Sequence, residues 1–255
     1  FHRNGPFADR LYAGTDLLLK VAEAHRRLGF PIESARLFQS LIRDSKAETF
    51  HEVALMGLGE SYLEQKDMRA ARAVFERYRL QFPVGRFAGQ ALLGILTSFE
   101  GEGNTAGLVK LGKQWLIHNP RHPDRASVQL KVADALRQAK RDAEAAPLYE
   151  DVLRAGTDLS ALDRLRYADV LARLNRQEPA LALYKQALVA GLEPEEEAWA
   201  QLQIVQLARG VKREGFARSG LRALHENSDS LVRRMAAVLQ TELPESTPAA
   251  GGKKR

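Results

Sequence analysis

His118 and His122 stand four residues apart, a spacing that on a helix would turn two imidazoles toward one metal ion. The stretch between them, HNPRH, holds Pro120, which interrupts the helix such a pair needs, so both read as parts of a turn. His25 falls in a helical core pattern and reads as a packed or partly exposed ring. With no cysteine in the chain, thiolate metal sites, thiol catalysis and disulfides are excluded. Gly57 and Gly59 form a short GLG inside a helical pattern, away from any strand-to-helix turn, and no GK[ST] motif accompanies them. Glu195, Glu196 and Glu197 directly follow Pro194, where the positive end of a helix dipole accounts for them without acid–base work. No nucleophile sits in a motif with a base. The residues therefore point away from an enzyme, and neither a metal nor a cofactor is expected.

The elements that would carry any other function are helical. From Leu55 into LGESYLEQKDMRAARAVFERYRLQFP, residues 58–83, the apolar or small residues Leu55, Leu58, Gly59 and Tyr62 share one helical face. A break at QKD follows, with Asp67 placed to cap the next helix, whose face runs through Ala71, Phe75 and Tyr78 to a stop at Pro83. Gly59 and Ala71 leave room where the two helices approach, and Phe75 and Tyr78 fill the space beside them. Such a hairpin buries only one of its apolar edges and needs neighbours.

The neighbours are repeats of itself. Ser34, Ala71, Leu108, Ala145, Ala180 and Ala217 occupy one slot at intervals of 37, 37, 37, 35 and 37 residues. The core partners that follow them are Phe38 and Leu41, Phe75 and Tyr78, Gly112 and Trp115, Tyr149 and Val152, Tyr184 and Ala187, and Leu221 and Leu224. First-helix sets match, from Val21, Ala22 and His25 through to Ile204, Val205 and Ala208. Residues 14–243 are expected to form the repeat array and a closing helix over SDSLVRRMAAVLQTEL, with Leu231, Met235, Val238 and Leu239 on one side. Residues 1–13 read as a lead-in or the remnant of a preceding repeat, and residues 244–255 as a disordered tail. The start FHRNGPF, without Met, suggests the interior of a longer polypeptide. Pro147, about five residues after a candidate cap at Asp142, predicts a kink or a late helix start.

On these residues the sequence resembles the tetratricopeptide repeat family, with LxxLGxxY present as Leu55, Leu58, Gly59 and Tyr62 and the terminating proline as Pro83 and Pro120. The resemblance covers roughly residues 14–226. It implies an all-α, right-handed superhelical solenoid of about six hairpins plus a C-terminal capping helix, and a non-catalytic role in binding a protein or peptide. The spacing of 36 to 37 residues is similar to that of bacterial envelope scaffolds, including periplasmic proteins of the Tol-Pal system and outer-membrane-assembly lipoproteins. The expectation is therefore a periplasmic or envelope-associated scaffold, with a cytoplasmic one as the alternative.

In the resembled family the inner, concave groove is lined from the first helices. The matching positions are apolar in all six repeats: Leu19, Met56, Leu93, Leu130, Leu165 and Leu202. Glu23, Glu60, Thr97, Asp134, Asp169 and Gln206 lie four residues on, followed by Arg26, Arg27, Arg137, Arg173 and Arg209. One reading is an apolar track with charged flanks, suited to an amphipathic helix or extended peptide; the other is packing against the next repeat. Trp199 is a candidate anchor on the same surface or a residue packed on the terminal helix. The family's carboxylate clamp uses Lys and Asn where this chain has Leu19, Met56, Glu23 and Glu60, so that activity does not carry over.

A rival surface is the basic cluster Arg69, Arg72, Arg77, Arg79 and Arg86 around Phe75 and Tyr78, which would suit a nucleic acid or an anionic envelope polymer. Two facts weaken it. The two aromatics already belong to the hairpin core, and the net charge of +6 falls to +4 once the tail PESTPAAGGKKR is set aside. Nucleic acid is therefore not the expected partner. The longest apolar runs are interrupted by charges well short of the ~18 residues of a membrane span. Self-association through open ends or the groove stays open.

Overall fold

The computed structural model describes residues 6–43, 50–210, 214–227 and 229–241. The residues assigned to a tail, 244–255, and the first five of the lead-in lie outside these. All regular secondary structure among the described residues, apart from the tighter helical turn at Phe50, is α-helical. The helices are α1 (Pro6–Arg27), α2 (Pro31–Arg43), α3 (His51–Glu64), α4 (Met68–Gln81), α5 (Ala88–Gly101), α6 (Thr105–His118) and α7 (Arg125–Gln138), then α8 (Asp142–Arg154), α9 (Ala161–Arg173), α10 (Gln177–Ala190), α11 (Pro194–Gly210), α12 (Glu214–His225) and α13 (Ser230–Thr241). The chain divides into two compact units, one ending at Ala139 and one beginning at Lys140.

Within each unit every helix packs on the next, which is the arrangement of stacked hairpins. A second set of contacts joins α1 to α3, α3 to α5 and α5 to α7 in the first unit, and α9 to α11 in the second. The first helices of the hairpins thus form a continuous layer in each unit, and the second helices lie outside it.

The small and aromatic residues explain how the hairpins close. A Cβ placed on Gly59 of α3 would lie 2.5 Å from the Phe75 ring, and one on Gly94 of α5 would meet the same ring from the other side closer still. Phe75, 1% exposed, is therefore held between two glycines of successive first helices. Phe38 sits against Gly57 in the same way. In the third hairpin the aromatic slot holds Gly112, and Val132 of α7 fills the room it leaves.

The turns use local chemistry. Ala70 N–H donates to Asp67 Oδ1 at 3.0 Å and Gly107 N–H donates to Asn104 Oδ1 at 2.9 Å, capping α4 and α6, and Ser160 does the same for α9. One residue with positive φ recurs in the turn inside each of the first five hairpins: Gly29, Lys66 (61°), Gly103, Lys140 (60°) and Asn175 (59°). Side chains with a Cβ are disfavoured there. Replacing the exposed Lys66 with Gly is expected to stabilise the protein by about 0.5–1 kcal/mol, a gain of a few degrees in Tm measured by circular dichroism.

Two expectations need correction. Asp142 does not cap α8: Arg141 holds the cap position with no side-chain bond, and the Asp142 carboxylate is taken by Arg173. Helix α8 begins at Asp142 and continues through Pro147, so its start is not delayed. On α13 the inward face is Val232, Ala236 and Leu239, packed with Val205, Leu221 and Leu224, while Met235 and Val238 are 42% and 61% exposed. The stripe carrying Met235 and Val238 faces outward, and Ala236 is fully buried against α11 and α12; the Leu231 side chain lies outside the described ones.

Candidate partner-binding site

The six apolar positions on the first helices are alike in sequence and differ in the structure. Leu19, Met56 and Leu165 are buried, at 9%, 6% and 4% exposure, and belong to the packing between hairpins. Leu93, Leu130 and Leu202 are half-buried and reach the surface.

In the first unit, α1, α3 and the start of α5 surround an open concavity of about 260 Å³. Phe38, Val53, Met56, Gly57 and Phe87 supply apolar lining, and Glu23, Arg26, Glu60 and Gln90 supply polar lining. Arg26 spans the mouth between helices: its Nη1 donates to Glu64 Oε1 at 2.8 Å and its Nη2 lies 3.2 Å from Glu60 Oε2. Burial raises the Glu60 carboxyl above its ordinary value against the pull of Arg26, and Glu64 and Glu23 push it the same way. Two carboxylates thus share one guanidinium, with the charge of Glu23 close by. Glu64 and the pair Phe87 and Gln90 were not legible as site residues, although Glu64 stands one helical turn after Glu60.

Farther along this unit, Asp134 is 6% exposed and accepts from Arg137 Nε at 2.8 Å and from Gln138 Nε2 at 3.0 Å, all on α7. These two candidate groove charges are joined to each other.

In the second unit, Trp199 is 46% exposed on α11, and its indole N–H donates to Asp169 Oδ1 of α9 at 3.0 Å. The Tyr184 hydroxyl donates to the same oxygen at 2.7 Å. Arg173 forms a two-pronged contact with Asp142, Nε to Oδ2 at 2.7 Å and Nη2 to Oδ1 at 2.6 Å. Asp169 and Trp199 are therefore brought together, whereas Arg173 turns toward α8.

The basic cluster is partly neutralised. Arg72 is bonded to Glu102 and its guanidinium lies 4.8 Å from the Phe99 ring centre; Arg69 lies 4.0 Å from the same carboxylate. Arg86 lies 3.9 Å from Glu52 and over Phe87. Arg77 is exposed, while burial lowers the pKa of Arg79 and Glu76 opposes that shift. Phe75 and Tyr78, 1% and 0% exposed, offer no stacking surface.

The remaining candidate chemistry is dispersed by the fold. His118, the last residue of α6, bonds through Nδ1 to Gln114 O at 2.7 Å, and His122 accepts from Asp124 N–H at 3.2 Å and stands edge-on to Trp115. Among the described residues no group of three potential metal ligands occurs, and no helix is long and apolar enough to cross a membrane.

Residues 53–83 and 114–160 each match a tetratricopeptide repeat profile. No curated protein matches in sequence. Among solved structures, the fold is similar to PilF of Pseudomonas aeruginosa, with a TM-score of 0.68 and 16% identity over 90% of this chain and 97% of that one. It is similar also to PilW, described as a widely conserved type IV pilus biogenesis factor, with a TM-score of 0.65 and 13% identity over 87% and 97% of the two chains. A tetratricopeptide repeat protein from Parabacteroides merdae gives a TM-score of 0.63 and 13% identity over 89% and 87%. The repeated hairpins, the glycine-held aromatic cores and the profile matches agree: residues 53–83 and 114–160 are tetratricopeptide repeats, and the fold is that of tetratricopeptide repeat proteins.

Proposed function

We propose that the chain is a protein-interaction scaffold that holds a peptide or protein segment along the layer of its first helices. The observation that carries this reading is the open concavity of the first unit, where three first helices present apolar and charged groups together. The half-buried Leu93 and Leu130 continue the apolar surface of that layer on α5 and α7. Partner segments laid on helical faces are held by such apolar anchors with polar groups at the rim. In the second unit, Trp199 with Asp169, beside Leu202, is the corresponding anchor. An envelope or periplasmic setting is supported by the likeness of fold to PilW, described as a type IV pilus biogenesis factor, and the cytoplasm is the alternative.

The rival polyanion surface has less to offer, because Glu102 and Glu52 stand among its arginines. Affinity capture from an extract of the source cell at low and high salt separates the two. Changing Leu93 and Leu130 together to Asp is expected to reduce capture of a protein partner at least tenfold, with little dependence on salt. Capture that ignores this change, vanishes at high salt and is lost when Arg69, Arg72 and Arg77 become Glu would transfer the function to the second helices.

A further inference from the structure

We infer that the concavity of the first unit receives a cationic segment of a protein partner, a Lys or Arg side chain meeting Glu23, Glu60 and Glu64 while an adjacent bulky apolar side chain packs on the half-buried Val53 and Phe87. The inference rests on the reading of the first-helix layer as the partner-binding face and names the chemistry of what binds there.

Charge selects the sign. Arg26 is shared by Glu60 and Glu64, Glu23 adds a third carboxylate on the same wall, and Arg86 over Phe87 is matched by Glu52, so the mouth retains an excess of two negative charges. An anionic segment would be repelled, and an apolar one alone would strip water from those carboxylates without replacing it. A Lys or Arg side chain supplies the missing charge at its tip and lays its hydrocarbon stem along the apolar wall.

Size selects the kind of ligand. At about 260 Å³ the concavity falls below the roughly 300–1,000 Å³ of sites that enclose small organic ligands. Side chains projecting from a longer segment fit it better. The electrostatic attraction also guides encounter, so the association rate carries the salt dependence.

The test is fluorescence anisotropy on the full chain with three labelled dodecapeptides. In the first, Lys alternates with Leu and Phe; in the others Glu or Ser replaces every Lys. The Lys peptide is expected to bind, and to bind at least tenfold more weakly to both Glu23→Gln and Glu60→Gln, whose folding is checked by thermal melts. Glu23→Gln leaves the ties of Arg26 to Glu60 and Glu64 in place, so it remains informative if Glu60→Gln is destabilised. Equal binding of the Glu or Ser peptide would overturn the inference while leaving the first-helix reading standing. Binding of the Lys peptide unaffected by either variant, or no binding of any peptide, would also overturn it; the Leu93 and Leu130 capture judges the broader reading separately. Displacement of the peptide by an equal concentration of spermidine would remove the apolar part of the claim.

Discussion

Replacing Phe75 with Ala is expected to destabilise the first unit by about 3–5 kcal/mol, the usual cost of removing a fully packed aromatic ring. The expected loss is large because the ring is 1% exposed and held between Gly59 and Gly94, whose backbones cannot readily close the space it would leave. The converse change, Gly94→Val, forces branched carbon atoms into the ring and is expected to cost at least about 1–3 kcal/mol. Urea unfolding followed by fluorescence checks both. The chain has two tryptophans, Trp115 in the first unit and Trp199 in the second, so a Trp199→Phe background makes the signal specific to the first unit. A Phe75→Ala transition indistinguishable from that background would contradict the packing described here.

Alkaline pH is expected to produce the second large effect. Tyr78, Tyr167 and Tyr184 are buried, and their hydroxyls donate to Glu52, Glu150 and Asp169. Burial foremost, and the adjoining carboxylates with it, raise all three hydroxyls above their ordinary value of 10.0, Tyr167 to about 12. Below pH 10 both folded and unfolded chains keep these hydroxyls protonated, and the stability is intact. Above it the unfolded chain loses protons that the folded chain retains, so stability falls as pH rises from 10 through about 12. Thermal melts between pH 8 and 11.5 should show a fall in Tm beginning near pH 10. Changing Tyr167 to Phe should make that fall shallower, whereas an unchanged slope would argue against its contribution.

The parts of the molecule legible in its sequence were those determined over one hairpin. Asp67 as a cap and Ala71, Phe75 and Tyr78 as a buried face follow from spacing alone, because the residues that satisfy them lie within a helical turn or in the neighbouring helix. The surface was less legible because exposure depends on what stacks above. Leu19, Met56 and Leu165 share their slot with Leu93, Leu130 and Leu202, yet the first three are buried and the others reach solvent. Asp142 had two available uses, capping its own helix or bonding Arg173, which is 31 residues away. Only the packing of α9 against α8 decides between them. The same holds for α13, where two apolar stripes were available and docking on α12 selected Val232, Ala236 and Leu239.

Site-specific photocrosslinking would show which face of the chain meets the partner. A photoreactive residue would be placed in turn at Leu93, Leu130, Arg69 and Arg77 of the full chain, and the crosslinked products from the source cell mapped by mass spectrometry. Leu93 and Leu130 are expected to crosslink to one and the same protein segment, at both low and high salt, and Arg69 and Arg77 are not. Crosslinks confined to Arg69 and Arg77 would contradict this expectation and assign recognition to the second helices.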